Sequence, residues 1–189
     1  VRLLNQFQID GISVTNSREI GSALGMTSAQ IRKDLGYFGH FGTQGKGYDC
    51  AMLLKELRSI LQIDKEWSVA LVGVGRLGRA IIGYPGFAPE GFKITAAFDV
   101  DAKQVGKSIG GILVQPILEL GRTLKSKNIH IAVVAVPTNE APDVIGNLKE
   151  CGIRAILNYS SVSPKVPNEV KVRNIDPILA LQSMTYYLR

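Results

Sequence analysis

Long apolar runs, a cysteine framework and a histidine cluster are all missing from this 189-residue chain, and each absence removes a class of function. No apolar run approaches the roughly 20 residues that span a bilayer. No secretory signal is visible either, so a cytoplasmic protein is expected, with no membrane partner. The two cysteines, Cys50 and Cys151, cannot build a disulfide scaffold and lack metal-ligand spacing. They read as small buried apolar residues on helices, and no metal site is expected.

What is present is a 46% apolar composition, enough to bury a core in one or two domains. The net charge of +6 and pI near 9.4 suggest an acidic partner. Residues 1–64 carry 7 Lys+Arg against 6 Asp+Glu, however, while residues 65–189 carry 15 against 10. Bulk charge therefore does not mark a nucleic-acid domain, and local clustering must do so.

The most informative stretch is SVALVGVGRLGR, residues 68–79. Apolar Val69, Ala70, Leu71 and Val72 run into Gly73, Gly75 and Gly78 at the spacing G-x-G-x-x-G, and helix formers then resume. This predicts a strand, a tight turn and the start of a helix. Gly73 turns the chain, Gly75 lets the backbone approach a pyrophosphate, and Gly78 lets the helix pack on the strand. The unpaired N–H groups and the positive dipole end of that helix then hold phosphates. Val74, Arg76 and Leu77 fill the intervening positions and belong to the same candidate site.

A second strand over 93–98 ends in Asp99, about 20 residues beyond the glycines, where an acid accepts hydrogen bonds from ribose hydroxyls. Val100 and Asp101 follow instead of an arginine, so a 2′-phosphate would meet negative charge. The residues thus point to NAD and NADH over their phosphorylated counterparts.

Ahead of this stretch, residues 1–7 read as the tail of an apolar helix that begins upstream, closed by Gly11. Asn16-Ser17-Arg18-Glu19 and Thr27-Ser28-Ala29-Gln30 have the form of capping boxes. They open two short helices, joined by a turn at Gly25-Met26, which together form a helix-turn-helix. In the second helix Ile31, Leu35 and Phe38 make a stripe at helical spacing, expected to be buried. That leaves Ser28, Gln30, Arg32, Lys33 and Tyr37 outward, with chemistry suited to base edges and phosphates. The glycine-rich residues 39–48 are expected to form a short hairpin wing, with Gln44 and Lys46 reaching DNA. Asp49 caps a further helix over 50–61, whose inner face is Leu53, Leu54, Leu57, Ile60 and Leu61.

Beyond Asp99 the pattern repeats, with strands at 112–114, 130–136, 154–158 and 170–174 alternating with helices at 116–125 and 139–151. Such alternation makes a parallel sheet covered on both faces. Val136 and Pro137, at the carboxyl end of a strand, sit where open α/β sheets bind ligand. The last helix, 177–188, begins at Pro177 after Asp176 and is apolar almost all round, so it must pack on another surface. The expected fold is therefore α/β: a winged helix-turn-helix domain at 1–64, a Rossmann-type domain at 65–175 and a C-terminal helix at 176–189.

The stretches AQIRKDLGYFGHFGTQGKGYD, VALVGVGRLGRA, GYPGF, GFKITAAFDVD, GIRAILNYS and VRNID closely resemble the Rex family of redox-sensing transcriptional repressors. The resemblance implies a homodimer on a palindromic operator, its C-terminal helix swapped into the partner, released by NADH while NAD⁺ competes. It implies that Arg32 and Lys33 contact DNA and that Tyr84 senses nicotinamide. It also implies that Asp176 alternates between that tyrosine and an arginine of the first helix, for which Arg2 is the candidate.

A different class, an NAD-dependent dehydrogenase with an N-terminal appendage, needs a positioned base and a substrate domain. The only histidines are His40, in the wing, and His130, at the start of an interior strand, and no substrate domain follows the sheet. A DNA-binding protein whose Rossmann domain only dimerises is a third alternative.

Overall fold

The computed structural model describes residues 1–42, 46–160 and 169–188. These divide into two compact units, Val1–Lys65 and Glu66–Arg189.

The first unit holds helices α1 (Arg2–Ile9), α2 (Ser17–Leu24), α3 (Ser28–Phe38) and α4 (Cys50–Ile60), with strands β1 (Val14–Thr15) and β2 (Tyr48–Asp49). Its core is small, with Leu4, Ile20, Ile31, Cys50, Leu53 and Leu54 drawn from all four helices. Each of the three later helices starts on a capping side chain, which satisfies donors that the helix itself cannot. The Asn16 carboxamide oxygen accepts from Arg18 and Glu19 N–H at 3.0 Å, the Thr27 hydroxyl from Gln30 N–H, and Asp49 from Met52 N–H. α2 then ends on Gly25 in the left-handed conformation, the turn of the helix-turn-helix.

Several sequence expectations are corrected here. Neither capping box closes reciprocally. Glu19 accepts from the Thr15 hydroxyl, and the Gln30 amide donates to Asp34 one helical turn on. Phe38 is 53% exposed, because the last turn of α3 runs past the small core and its ring rests edge-on against Tyr37. Ile60 and Leu61 are exposed for the same reason at the end of α4. Tyr48–Asp49 pairs antiparallel with Val14–Thr15, a partner outside 39–48 that sequence reading did not name, while residues 43–45 of the expected hairpin lie outside the described residues. That two-residue strand is too short for periodicity to reveal.

In the second unit the described strands are β3 (Trp67–Val72), β4 (Phe92–Asp99), β5 (Ser108–Ile109), β6 (Ile112–Pro116), β7 (Ile131–Val134), β8 (Ala155–Asn158) and β9 (Lys171–Asn174). They form one sheet in the order β5-β6-β4-β3-β7-β8-β9, parallel throughout except for the short β5. Helices α5 (Arg76–Ile82), α6 (Leu120–Ser126) and α7 (Ala141–Glu150) are the crossovers, and α8 (Pro177–Thr185) follows the last strand. Apart from the β5 appendage, missed because it is two residues long, this is the doubly wound Rossmann order.

Alternation along the strands builds two cores. Ala70, Val72, Ala96, Phe98, Ala132, Val134 and Ile156 turn to one face, under Leu124 of α6 and Ile145 and Leu148 of α7. Val69, Leu71 and Val133 turn to the other, under Ile81 of α5. Both faces being covered explains why these strands read as unbroken apolar runs. α8 differs: none of its residues is buried within this chain, and Ile178, Leu179, Leu181 and Met184 are each more than half exposed.

Candidate functional site

The strand order reverses between β3 and β7, and a cleft opens there at the carboxyl ends of the strands. Of the residues expected at a nucleotide site, Gly73, Gly75, Asp99, Val136 and Pro137 line it, together with Asp101, Gln104, Ile117, Ala135, Glu140 and Val144.

Three glycines shape the cleft in three ways. Gly73 has φ +92°, and a Cβ there would lie 2.5 Å from the Ala135 carbonyl oxygen, so both conformation and space require glycine. At Gly78 a Cβ would meet the Gly73 carbonyl oxygen at 2.0 Å, which brings α5 against the loop. Gly75 is the opposite case: a Cβ would meet nothing within 4 Å. Open space over bare backbone is what a phosphate-bearing ligand needs for close approach. Gly75 also caps α5 without a side chain, so no side chain competes for the first-turn donors.

Asp99 ties this loop to the next strand. One carboxylate oxygen accepts from Val74 N–H at 2.7 Å and the other from Asp101 N–H at 2.9 Å. Val74 itself is fully buried, whereas Arg76 and Leu77 are exposed at the start of α5. Arg79 bridges the same two segments, donating to the Val74 carbonyl and to the Gln104 side chain. Sequence reading missed Gln104 and Glu140 as lining residues. Both follow strand ends, at positions the pattern of a Rossmann sheet marks as ligand-side.

The remaining expected residues stand elsewhere. Tyr84, 54% exposed, follows α5 and meets the ring of Phe87 edge-on, with centroids 5.3 Å apart. Asp176 accepts from Ile178 N–H at 2.9 Å and so caps α8. Arg2 lies on α1 of the first unit. On α3, Gln30, Arg32, Lys33 and Tyr37 are exposed and Ser28 is half-buried. The Arg32 guanidinium donates to the Ser17 hydroxyl at 3.2 Å, linking α3 to the start of α2. Lys46 is exposed, while Gln44 lies outside the described residues. Among the described residues no group of three potential metal ligands gathers, and no helix is long and apolar enough to cross a membrane.

Cys50 is fully buried at the start of α4. Burial, with the carboxylates of Asp49 and Glu19 nearby, pushes its thiol up from the ordinary range. A thiol held neutral in this way is a core residue, not a nucleophile.

A helix-turn-helix unit and a Rossmann unit with a glycine-lined cleft are the parts of a ligand-responsive transcription regulator. Known proteins narrow the class. Redox-sensing transcriptional repressors Rex from Chloroflexus aurantiacus and a Roseiflexus species are 46% and 44% identical over 187 residues, 99% of this chain and 88% and 85% of theirs. The chain belongs to the Rex family of redox-sensing transcriptional repressors.

The Rex-family repressor RSP has the same fold, with a TM-score of 0.90 and 30% identity over 99% of this chain and 87% of that one. Its complex with β-NAD⁺ and operator DNA matches at a TM-score of 0.92 and 32% identity, covering 99% of this chain and 86% of that one. Two family descriptions also match, "CoA binding domain" over residues 64–162 and "Putative DNA-binding protein N-terminus" over residues 1–36.

Proposed function

We propose that this chain acts as a cytoplasmic homodimer that holds a palindromic operator when NADH is scarce and leaves it when NADH binds. In this reading residues 1–64 read DNA, residues 65–175 hold the nucleotide and residues 176–189 form the exchanged helix. The observation that carries it is the cleft at the strand-order reversal, with open space over Gly75 and carboxylates at Asp99 and Asp101. Residues 73–78 cradle the pyrophosphate, and Asp99 meets the adenosine ribose. Val136 and Pro137 wall the far side.

Ser28, Gln30, Arg32, Lys33 and Tyr37 present hydroxyl, amide, cationic and phenolic groups from α3 to a major groove, with Gln44 and Lys46 flanking it. The apolar surface of α8 supports the dimer, because a helix apolar all round is stable only when covered.

NADH releases DNA only if it binds the released arrangement more tightly than the DNA-bound one. Oxidised nicotinamide carries a positive charge that NADH lacks. Tyr84 detects that difference, and Asp176 exchanges between Tyr84 and Arg2.

The dehydrogenase alternative commonly relies on a histidine base, and among the described residues the titratable groups lining the cleft are the carboxylates of Asp99, Asp101 and Glu140. No histidine lines it, and His130 stands at the amino end of β7, opposite the ligand side. We therefore read the chain as a regulator without catalytic activity.

Gly75→Val tests this reading, since the added side chain enters the open space and not the protein. It should hold labelled operator at NADH concentrations that release the unaltered protein. Release at the same concentrations would remove the cleft from the switch.

A further inference from the structure

Residues 84–87 leave α5 as Tyr-Pro-Gly-Phe, and this short turn closes around its own first ring. On one side Tyr84 meets Phe87 at 5.3 Å with an interplanar angle of 82°. Phe87 is anchored in turn, packing against the buried cluster of Val69, Leu71, Ile81 and Val133. The ring also lies over Gly86. A Cβ built there would stand 2.4 Å from Cε1 and 2.6 Å from Cζ and the hydroxyl oxygen of Tyr84.

Gly86 is not among the glycines with positive φ, so its backbone suits other residues. What glycine supplies here is room for the tyrosine ring. Tyr84 is more than half exposed, and the Phe87 ring and the bare backbone of Gly86 are two of the surfaces it rests on.

We propose that Gly86 and Phe87 form a seat that fixes the Tyr84 ring, and that this seat sets how strongly the protein discriminates reduced from oxidised nicotinamide. Both are positioning residues. The proposal rests on the reading of Tyr84 as the nicotinamide sensor. A methyl at position 86 pushes an exposed ring aside and leaves the buried core of the second unit unchanged. Phe87→Leu keeps an apolar anchor in the core and removes the ring edge against which Tyr84 lies.

The test measures binding of NADH, NAD⁺ and ADP-ribose to the full chain and to Gly86→Ala, Phe87→Leu and Tyr84→Ala. ADP-ribose fills the cleft without nicotinamide, so it reports damage to the site as a whole. For Gly86→Ala and Phe87→Leu its affinity is expected to stay within about twofold, while the NADH:NAD⁺ affinity ratio moves toward one by about three- to tenfold. If Gly86→Ala fails to fold, Phe87→Leu carries the test. Should Tyr84→Ala abolish the preference while both seat variants keep it, the seat is overturned and the sensor reading stands. If Tyr84→Ala also keeps the preference, the sensor reading fails and the seat fails with it. Loss of ADP-ribose affinity in step with the other two would make Gly86 and Phe87 general structural residues, and would equally overturn the proposal.

Discussion

Gly73, Gly75 and Gly78 in the second unit and Gly42 and Gly47 in the first are glycines placed for different reasons. In the Rossmann loop Gly73 is closed in by Ala135 and Val136 just past the end of β7, while the other two answer to the motif itself. Gly78 packs on the carbonyl of Gly73, and Gly75 leaves space above its own backbone. In the first unit Gly47, with φ +77°, would place a Cβ 2.3 Å from the Thr15 carbonyl, on a strand far earlier in the chain. The first set shapes a ligand cleft; in the second, Gly47 lets β2 close against β1 and Gly42 leaves room for the Gly47 carbonyl and the Tyr48 ring. A glycine therefore shows which contact it serves when its partner lies close by in the pattern, as for Gly78 and Gly42, and conceals it when the partner lies far along the chain, as for Gly73 and Gly47.

The contrast is sharpest under substitution. Gly78→Val is expected to have the largest effect, about 3 kcal/mol of lost stability, because backbone atoms block the new side chain. NADH binding should vanish with it, as calorimetric titration would show. Gly47→Ala combines a left-handed backbone with a close carbonyl and should cost about 2 kcal/mol. Its effect should fall on operator affinity, leaving NADH affinity in the second unit within about twofold of the unaltered protein.

Asp99→Ala comes next, since it strips the acceptor from Val74 and Asp101 N–H. About 1–2 kcal/mol of stability and roughly tenfold in NADH affinity should be lost. The smallest effect belongs to Cys50, whose thiol pKa is raised in the folded state. Above the ordinary thiol range the unfolded chain releases this proton first, so stability should fall as pH rises there. Cys50→Ala should flatten that slope in urea titrations at several alkaline pH values.

Much of this was legible because the relevant interactions are short-range. Strand, loop and helix at 68–79 and the two capped helices of the helix-turn-helix follow from residues a few positions apart, and the acid at 99 from its place at the end of the next strand. The cleft residues Gln104 and Glu140 were passed over, because strand ends mark the ligand side but only the folded sheet shows which of the residues after them lie beside the glycines. The buried stripe of α3 was over-read at Phe38, since periodicity gives a direction and not the size of the core that waits there. The pairing of Tyr48–Asp49 with Val14–Thr15 escaped for want of length. In the cleft the carboxylate of Asp99, read as a ribose acceptor, also holds the loop that surrounds it.

The central claim is that one nucleotide couples to a second site through its redox state. Operator affinity, measured by fluorescence anisotropy on the same protein at saturating NADH and at saturating NAD⁺, tests it most directly. The account predicts weaker operator binding with NADH, by at least about tenfold, the size of an ordinary coupling free energy. Equal affinity under both conditions would contradict it.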